Sequence, residues 1–211
     1  MMTIEWRGAA AVACTVLVAA CSSSGGSSSS GGRIDAGQEP ASRLVTLNVD
    51  GSIPDQGISE SGTRGTFSDL RRVNGRLSGF AYQYGREEGT NRFLGVAGVA
   101  PTTDPGAPPT AATATYTGDY ALTYVDRDGV DSQRGEITLN ADFENGDLRG
   151  RAGGLVVDGT ISGQIVGGTA TYRSVDADMS GVIGTERAVT AFAGDTSEAV
   201  LVGGINAEAT R

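Results

Sequence analysis

The chain is 211 residues long, rich in glycine (33 residues) and acidic, with 25 Asp and Glu against 16 basic residues and a formal charge of −9. Every basic residue is arginine, and neither histidine nor lysine occurs. That balance disfavours nucleic acid and anionic membrane surfaces as partners, since phosphate binding needs a positive face, and without histidine no nucleophile–imidazole pair can be assembled.

Residues 1–20 read as a targeting segment. Arg7 gives a weakly basic start beside Glu5, and an apolar run follows over residues 9–20. It is too short to cross ~30 Å of hydrocarbon and matches the apolar region of a signal peptide. The run ends in Leu17-Val18-Ala19-Ala20-Cys21, which resembles the lipobox of bacterial lipoprotein precursors. The resemblance implies a diacylglyceryl group on the Cys21 sulfur, cleavage before it and palmitate-type acylation of the new amino terminus. Cys14 follows Ala11-Val12-Ala13 but lies midway through the apolar run, and is the lesser candidate. Residues 22–32 are only serine and glycine, a flexible tether with an r.m.s. reach of roughly 17–20 Å. Several acyl chains bind a membrane durably where one binds reversibly. Ser22 after the cysteine resembles an outer-membrane sorting signal. Residues 21–42 are therefore expected to be a lipidated tether, and loss of residues 1–20 leaves the charge at −9 because Glu5 and Arg7 leave together. With Cys21 lipidated, no disulfide is available to the mature chain, which must fold by packing and hydrogen bonding alone.

From residue 43 onward no helical apolar period persists, and short alternating Val/Ile/Thr/Tyr runs separated by glycine turns predict an all-β fold. Residues 43–100 carry expected strands at 43–49, 63–70, 75–83 and 92–99, with Asn74-Gly75 as a type I′ hairpin signal. Residues 101–111 hold four prolines, Pro101, Pro105, Pro108 and Pro109, and are expected to be a linker or boundary loop. Residues 112–211 carry eight expected strands at 113–125, 136–143, 148–157, 160–166, 170–172, 178–183, 187–193 and 199–205, with turns at Asp128-Gly129, Asn145-Gly146 and Asp158-Gly159. This spacing predicts an antiparallel eight-stranded barrel preceded by a smaller β-sheet region. Ile137, Leu139, Ala141 and Phe143 alternate with Glu136, Thr138, Asn140 and Asp142, giving one dry and one wet face. A dry face mostly of Ala, Val, Ile, Leu and Gly would fill a narrow barrel, which argues against a carrier with an internal ligand chamber. Polar outward residues argue against a membrane-spanning barrel, which would show an apolar band and aromatic girdles.

Ala114-Thr115-Tyr116-Thr117-Gly118 after the proline-rich lead, and the block from Gly135 to Gly150, resemble the small barrel domain of transferrin-binding protein B-like surface lipoproteins. Gly163 and Gly181 match glycines expected in later strands, and Val202-Gly203-Gly204 resembles the closing strand, where the family usually places Phe-Gly-Ala. The resemblance covers roughly residues 95–207. It implies an eight-stranded barrel beside a smaller β "handle", displayed outside the cell, in a family whose best-known members capture host proteins such as transferrin or complement factor H. Those binders use long loops and often two lobes, and no contact residue can be carried across; the fold transfers and the ligand does not.

No Gly-x-Ser-x-Gly elbow, Walker loop or dinucleotide fingerprint occurs, so no enzyme, cofactor or metal is expected. Asp126-Arg127-Asp128-Gly129-Val130-Asp131 faintly resembles a calcium loop, but Val130 occupies a ligand position and no helices flank it; a solvated hairpin turn is the plainer reading. Asp176 and Asp178 form a weaker pair still. Arg71-Arg72 and Arg149-Gly150-Arg151 read as solvated charges or as a contact patch for an acidic partner, and Phe80, Tyr82 and Tyr84 as inter-subdomain packing or as exposed anchors. Two functional readings stay open. One is an outer-membrane surface lipoprotein, anchored at Cys21, that binds a protein or assists a transporter in solute or iron uptake through barrel loops. The other is an envelope structural or accessory lipoprotein without a dedicated soluble ligand, facing the surface or the periplasm.

Overall fold

The computed structural model describes residues 42–90 and 92–210. Cys14, Cys21 and the Gly/Ser tether lie outside the described residues. Among the described residues twelve strands form two sheets. Eight close into a barrel: β5 (Thr113–Asp126), β6 (Gly129–Asp142), β7 (Asp147–Ala152), β8 (Leu155–Ser162), β9 (Ile165–Tyr172), β10 (Val175–Ile183), β11 (Arg187–Asp195) and β12 (Ala199–Ala209). They run as an antiparallel meander, sealed by β12 pairing with β5 from Tyr116↔Ala209 to Asp126↔Ala199.

The interior is filled, and by larger side chains than the apolar pattern suggests. Tyr116, Tyr120, Leu122, Tyr124, Ile137, Leu139, Leu155, Tyr172, Met179, Phe192 and Ile205 all point into one buried cluster. Space for the largest comes from glycines on facing strands. A Cβ at Gly135 would press on the Tyr120 ring at 3.0 Å, one at Gly159 would meet Met179 Cε at 3.0 Å, and one at Gly203 would overlap the Phe192 ring. Pairing a large residue with a glycine lets the side chains fill the tube without overlap. Interior tyrosines need partners for their hydroxyls: Tyr116 donates to the Gly184 carbonyl at 2.8 Å.

Two expected turns move. The chain does not turn at Asp158-Gly159, which lies within β8; it turns earlier, at Gly153 and Gly154 (φ 55° and 87°), between the paired Ala152 and Leu155. Two successive glycines supply the left-handed pair of a two-residue hairpin better than Asp-Gly does, and Gly159 is used instead as the gap for Met179. Gly163 (φ 62°) correspondingly sits in the turn after β8 and not in a strand, whereas Gly181 does lie in β10. The first barrel turn falls one residue before Asp128-Gly129: Arg127 and Asp128 make the turn and Gly129 opens β6 opposite Asp126. At Asn74-Gly75, both residues have positive φ (51° and 78°), as the hairpin signal requires.

Residues before the barrel form their own sheet of β1 (Arg43–Leu44), β2 (Gly65–Val73), β3 (Arg76–Arg86) and β4 (Phe93–Val99), in the order β1-β4-β3-β2. β1 is parallel to β4 and the other pairs are antiparallel. The strand expected over 43–49 stops after two residues. Asp50 Oδ1 accepts from Ser52 N at 3.0 Å and Gly51 (φ 84°) seats against Leu70 and Leu77, so the chain turns there and crosses the sheet's outer face. Leu47, Val45, Ile53 and Ile58 cover that face.

The proline-rich segment is fastened to the barrel. Pro105 O accepts from Glu186 N and Arg187 N, Ala107 O from Thr185 N at 2.9 Å, and Gly106 O from Gln164 Nε2 at 2.9 Å. It thus crosses the barrel end formed by the β8–β9 and β10–β11 turns. Prolines cannot join a ladder as donors, yet their carbonyls accept freely, which suits this strap.

Candidate functional site

The sheet of β1–β4 lies face-on against the outside of β5, β11 and β12. Phe80, Tyr82 and Ala97 from one side meet Ala121, Val125, Val189, Ala191, Ala193, Val200 and Val202 from the other in a single buried cluster. This explains why β11 and β12 are buried along nearly their whole length instead of alternating: one face fills the barrel and the other carries the second sheet. Gly204 is one contact point, since its missing Cβ leaves room for the Phe80 ring, and Gly95 is another, seated against Val200 and Val202. Polar ties flank the apolar seam. Tyr82 and Thr123 hydroxyls lie 3.1 Å apart and Thr123 is 2.9 Å from Ser132. Asp195 accepts from Ser42 N at 2.8 Å and pairs with Arg92 at 3.6 Å. Burial pushes the Tyr82 phenol above its usual pKa, against the opposing effect of the Thr123 hydrogen bond.

The seam opens on one side into a cleft of about 230 Å3 between β2 and the outer wall of β5 and β6, lined among others by Phe67, Phe80, Asp69, Asp119 and Arg134. Phe67 stacks obliquely on Tyr82 (5.3 Å between ring centroids), and the Arg134 guanidinium lies 4.3 Å over the Phe67 ring. Arg71 bridges the sheets, pairing with Asp69 and Asp119 at 3.3 Å each, and Asn206 donates to Asp69 at 3.2 Å. The cleft combines aromatic surface with arginine, the pairing that dominates protein-binding hot spots. A wider, shallower depression of about 580 Å3 lies on the outer barrel face between Thr138, Asn140, Arg149, Arg151 and Asp158.

At the barrel end away from the strap, a second polar cluster gathers. Arg173 (φ 54°) stacks over Tyr124 and Tyr172 at 4.6 and 5.4 Å and pairs with Asp131 at 2.6 Å. Gln133 donates to the Tyr172 hydroxyl at 2.5 Å. These contacts span the gap above β7, whose ladder with β6 ends at Leu139↔Gly150.

The residues singled out in the sequence scatter accordingly. Phe80 and Tyr82 are seam residues, buried, with Tyr84 packed beside them. Arg71 joins the cleft while Arg72 stays exposed, and Arg149 pairs with its neighbour Asp147 at 3.4 Å. The calcium-like loop does not converge: Asp126 Oδ1 accepts from Asp128 N and Gly129 N, closing the turn, and Asp131 is engaged by Arg173. Asp176 accepts from the Thr171 hydroxyl at 2.7 Å. No group of three or more potential metal ligands occurs among the described residues. Phe67 and Arg134, the centre of the cleft, were not visible as site residues, because their closeness depends on how the two sheets pack and not on local spacing.

No family model matches the chain, and no curated protein matches it. Solved structures do. A transferrin-binding protein B double mutant from Haemophilus parasuis is 12% identical with a TM-score of 0.45, the alignment covering 72% of this chain and 39% of that one. The isotype 1 transferrin-binding protein B from serogroup B Neisseria meningitidis is 14% identical, TM-score 0.44, covering 75% and 37%. HpuA from Kingella denitrificans, solved in complex with human haemoglobin, is 16% identical, TM-score 0.42, covering 64% and 57%. The chain therefore spans about two-fifths of the length of the two transferrin-binding proteins it resembles.

Proposed function

We propose that this chain is a non-enzymatic outer-membrane lipoprotein, anchored through Cys21, that binds a protein partner on the outside of its barrel-and-sheet body. The observation that carries the reading is the junction of the two sheets. The barrel interior is filled by its own side chains, so the structured recognition surface lies outside, and the seam cleft offers aromatic rings and arginine together. The tether behind Cys21 supports it, since a flexible spacer is useful when a binding body must be lifted from a surface. The partner is unidentified; transferrin and haemoglobin, named with the similar structures, are baits to try first.

The test is a pull-down with the full chain, purified in detergent, against those two proteins and against whole serum. Saturable retention of a defined protein is expected. Retention no greater than that of an unrelated lipoprotein contradicts the proposal.

A further inference from the structure

Among the described residues the outer edge of β2 is open. All nine residues of β2 pair with β3, from Gly65↔Tyr84 to Val73↔Arg76, and among the described residues no backbone hydrogen bond reaches β2 from elsewhere. Thr66, Ser68, Arg71 and Arg72 are exposed along it. An open strand edge presents a row of donors and acceptors that another extended chain can complete.

Its position gives the edge a floor. The second sheet lies on the barrel strand over strand: β4 crosses β11 and β12, β3 crosses β12, and β2 reaches β5 and β12 through Arg71–Asp119 and Asp69–Asn206. The next strand in that sheet, ~4.8 Å beyond β2, falls over the outer wall of β5 and β6, where the 230 Å3 cleft now stands open. Alternate side chains of such a strand would point down into the cleft, beside Phe67 and Arg134, and up into solvent, beside Arg72.

Charge selects the occupant. Asp69 and Asp119 are both engaged by Arg71, and Asp69 also accepts from Asn206. Arg72 and Arg134 make no ion pair within the described residues, and Arg134 is held over a ring face. Two arginines without carboxylate partners thus flank an open edge, one on each face, on a chain whose net charge is −9. We infer that the cleft takes an extended, acidic segment of a partner protein as a fifth strand on β2, with one apolar side chain lodged against Phe67 and carboxylates facing Arg134 and Arg72. This rests on the proposed protein-binding function and adds the place, the backbone geometry and the charge of what is bound.

The probe is a nine-residue peptide of alternating threonine and valine carrying two glutamates, compared with its lysine counterpart, on the full chain in detergent. Amide exchange within Gly65–Val73, read residue by residue, reports the pairing. The glutamate peptide is expected to slow the β2 amides that do not serve the β3 ladder, and to bind about tenfold tighter than the lysine peptide, the scale of one or two interfacial charge pairs. Arg72→Glu with Arg134→Glu should reverse that preference, an outcome that a purely structural role for these exposed residues would not produce. No β2 protection, or protection with the same peptide preference in the double variant, overturns the inference. So does protection that rises with chain concentration without peptide, which would assign the edge to a second copy. The general binding function falls separately: a pull-down that retains its partner unchanged in the double variant leaves that function standing and removes this site.

Discussion

Phe80 and Gly204 interlock across the two sheets: the ring from β3 occupies the space that a Cβ on β12 would fill, so the sheets can approach to contact. Gly203, the preceding residue, does the same for Phe192 on the inner face. The paired glycines of the closing strand therefore serve both sides of one wall. Gly204→Val should destabilise the chain by about 1–3 kcal/mol, as overpacking of a filled core does. Phe80→Ala should cost about 3–5 kcal/mol, and the double variant less than the sum of the two, because the cavity accepts the new side chain. Denaturant unfolding of the four proteins measures this; strict additivity would mean that the two residues do not share a space.

Alkaline pH should loosen both the seam and the barrel interior. Burial raises the pKa of Tyr82 above the usual 10.0, and burial raises that of Tyr116 likewise. A raised pKa in the folded state means that the fold favours the protonated phenol. That stability is complete below pH 10 and is lost as pH rises through the folded value. Tyrosinate absorbance should show two phenols titrating late, and Tyr82→Phe should remove one of them and flatten the alkaline fall in stability. An unchanged titration would contradict the buried seam.

Arg173 holds a left-handed backbone (φ 54°), a conformation that favours glycine, while its guanidinium caps Tyr124 and Tyr172 and pairs with Asp131. The two contributions oppose each other. Arg173→Gly should therefore melt higher than Arg173→Ala, since alanine loses the cap but keeps the strained backbone. The melting temperatures of the two variants decide it; equal values would show that the turn relaxes when the side chain goes.

Much of the fold was legible in local pattern. The run from Glu136 to Asp142 alternates, and β6 buries Ile137, Leu139 and Ala141 as that alternation requires. The Asn74-Gly75 turn reads directly as positive φ. What misled was competition between turn signals: Asp158-Gly159 and Gly153-Gly154 stand five residues apart, and which pair turns depends on which glycine Met179 needs inside the barrel. The cleft was illegible for a different reason. Phe67 and Arg134 are far apart in sequence and meet only because β2 projects beyond the seam that Phe80 makes with Gly204. Local periodicity reports which face of a strand is dry, and it does not report what covers a face from outside. That is also why the unbroken burial of β11 and β12 carried no message until the second sheet was seen to cover them.

The anchor can be tested apart from the body. Cys21→Ser should move the protein from the membrane to the soluble fraction on cell fractionation while leaving its thermal unfolding unchanged, since the described core is built by strands that begin at Arg43. Persistent membrane association of that variant would contradict lipidation at Cys21.

The central claim, a protein-binding body displayed on the cell surface, is tested most directly by treating intact cells with a broad-specificity protease that cannot cross the outer membrane. The account predicts that the barrel-and-sheet body is stripped along with a known surface marker. A body left intact while the surface marker disappears would place it inside the envelope and contradict the claim.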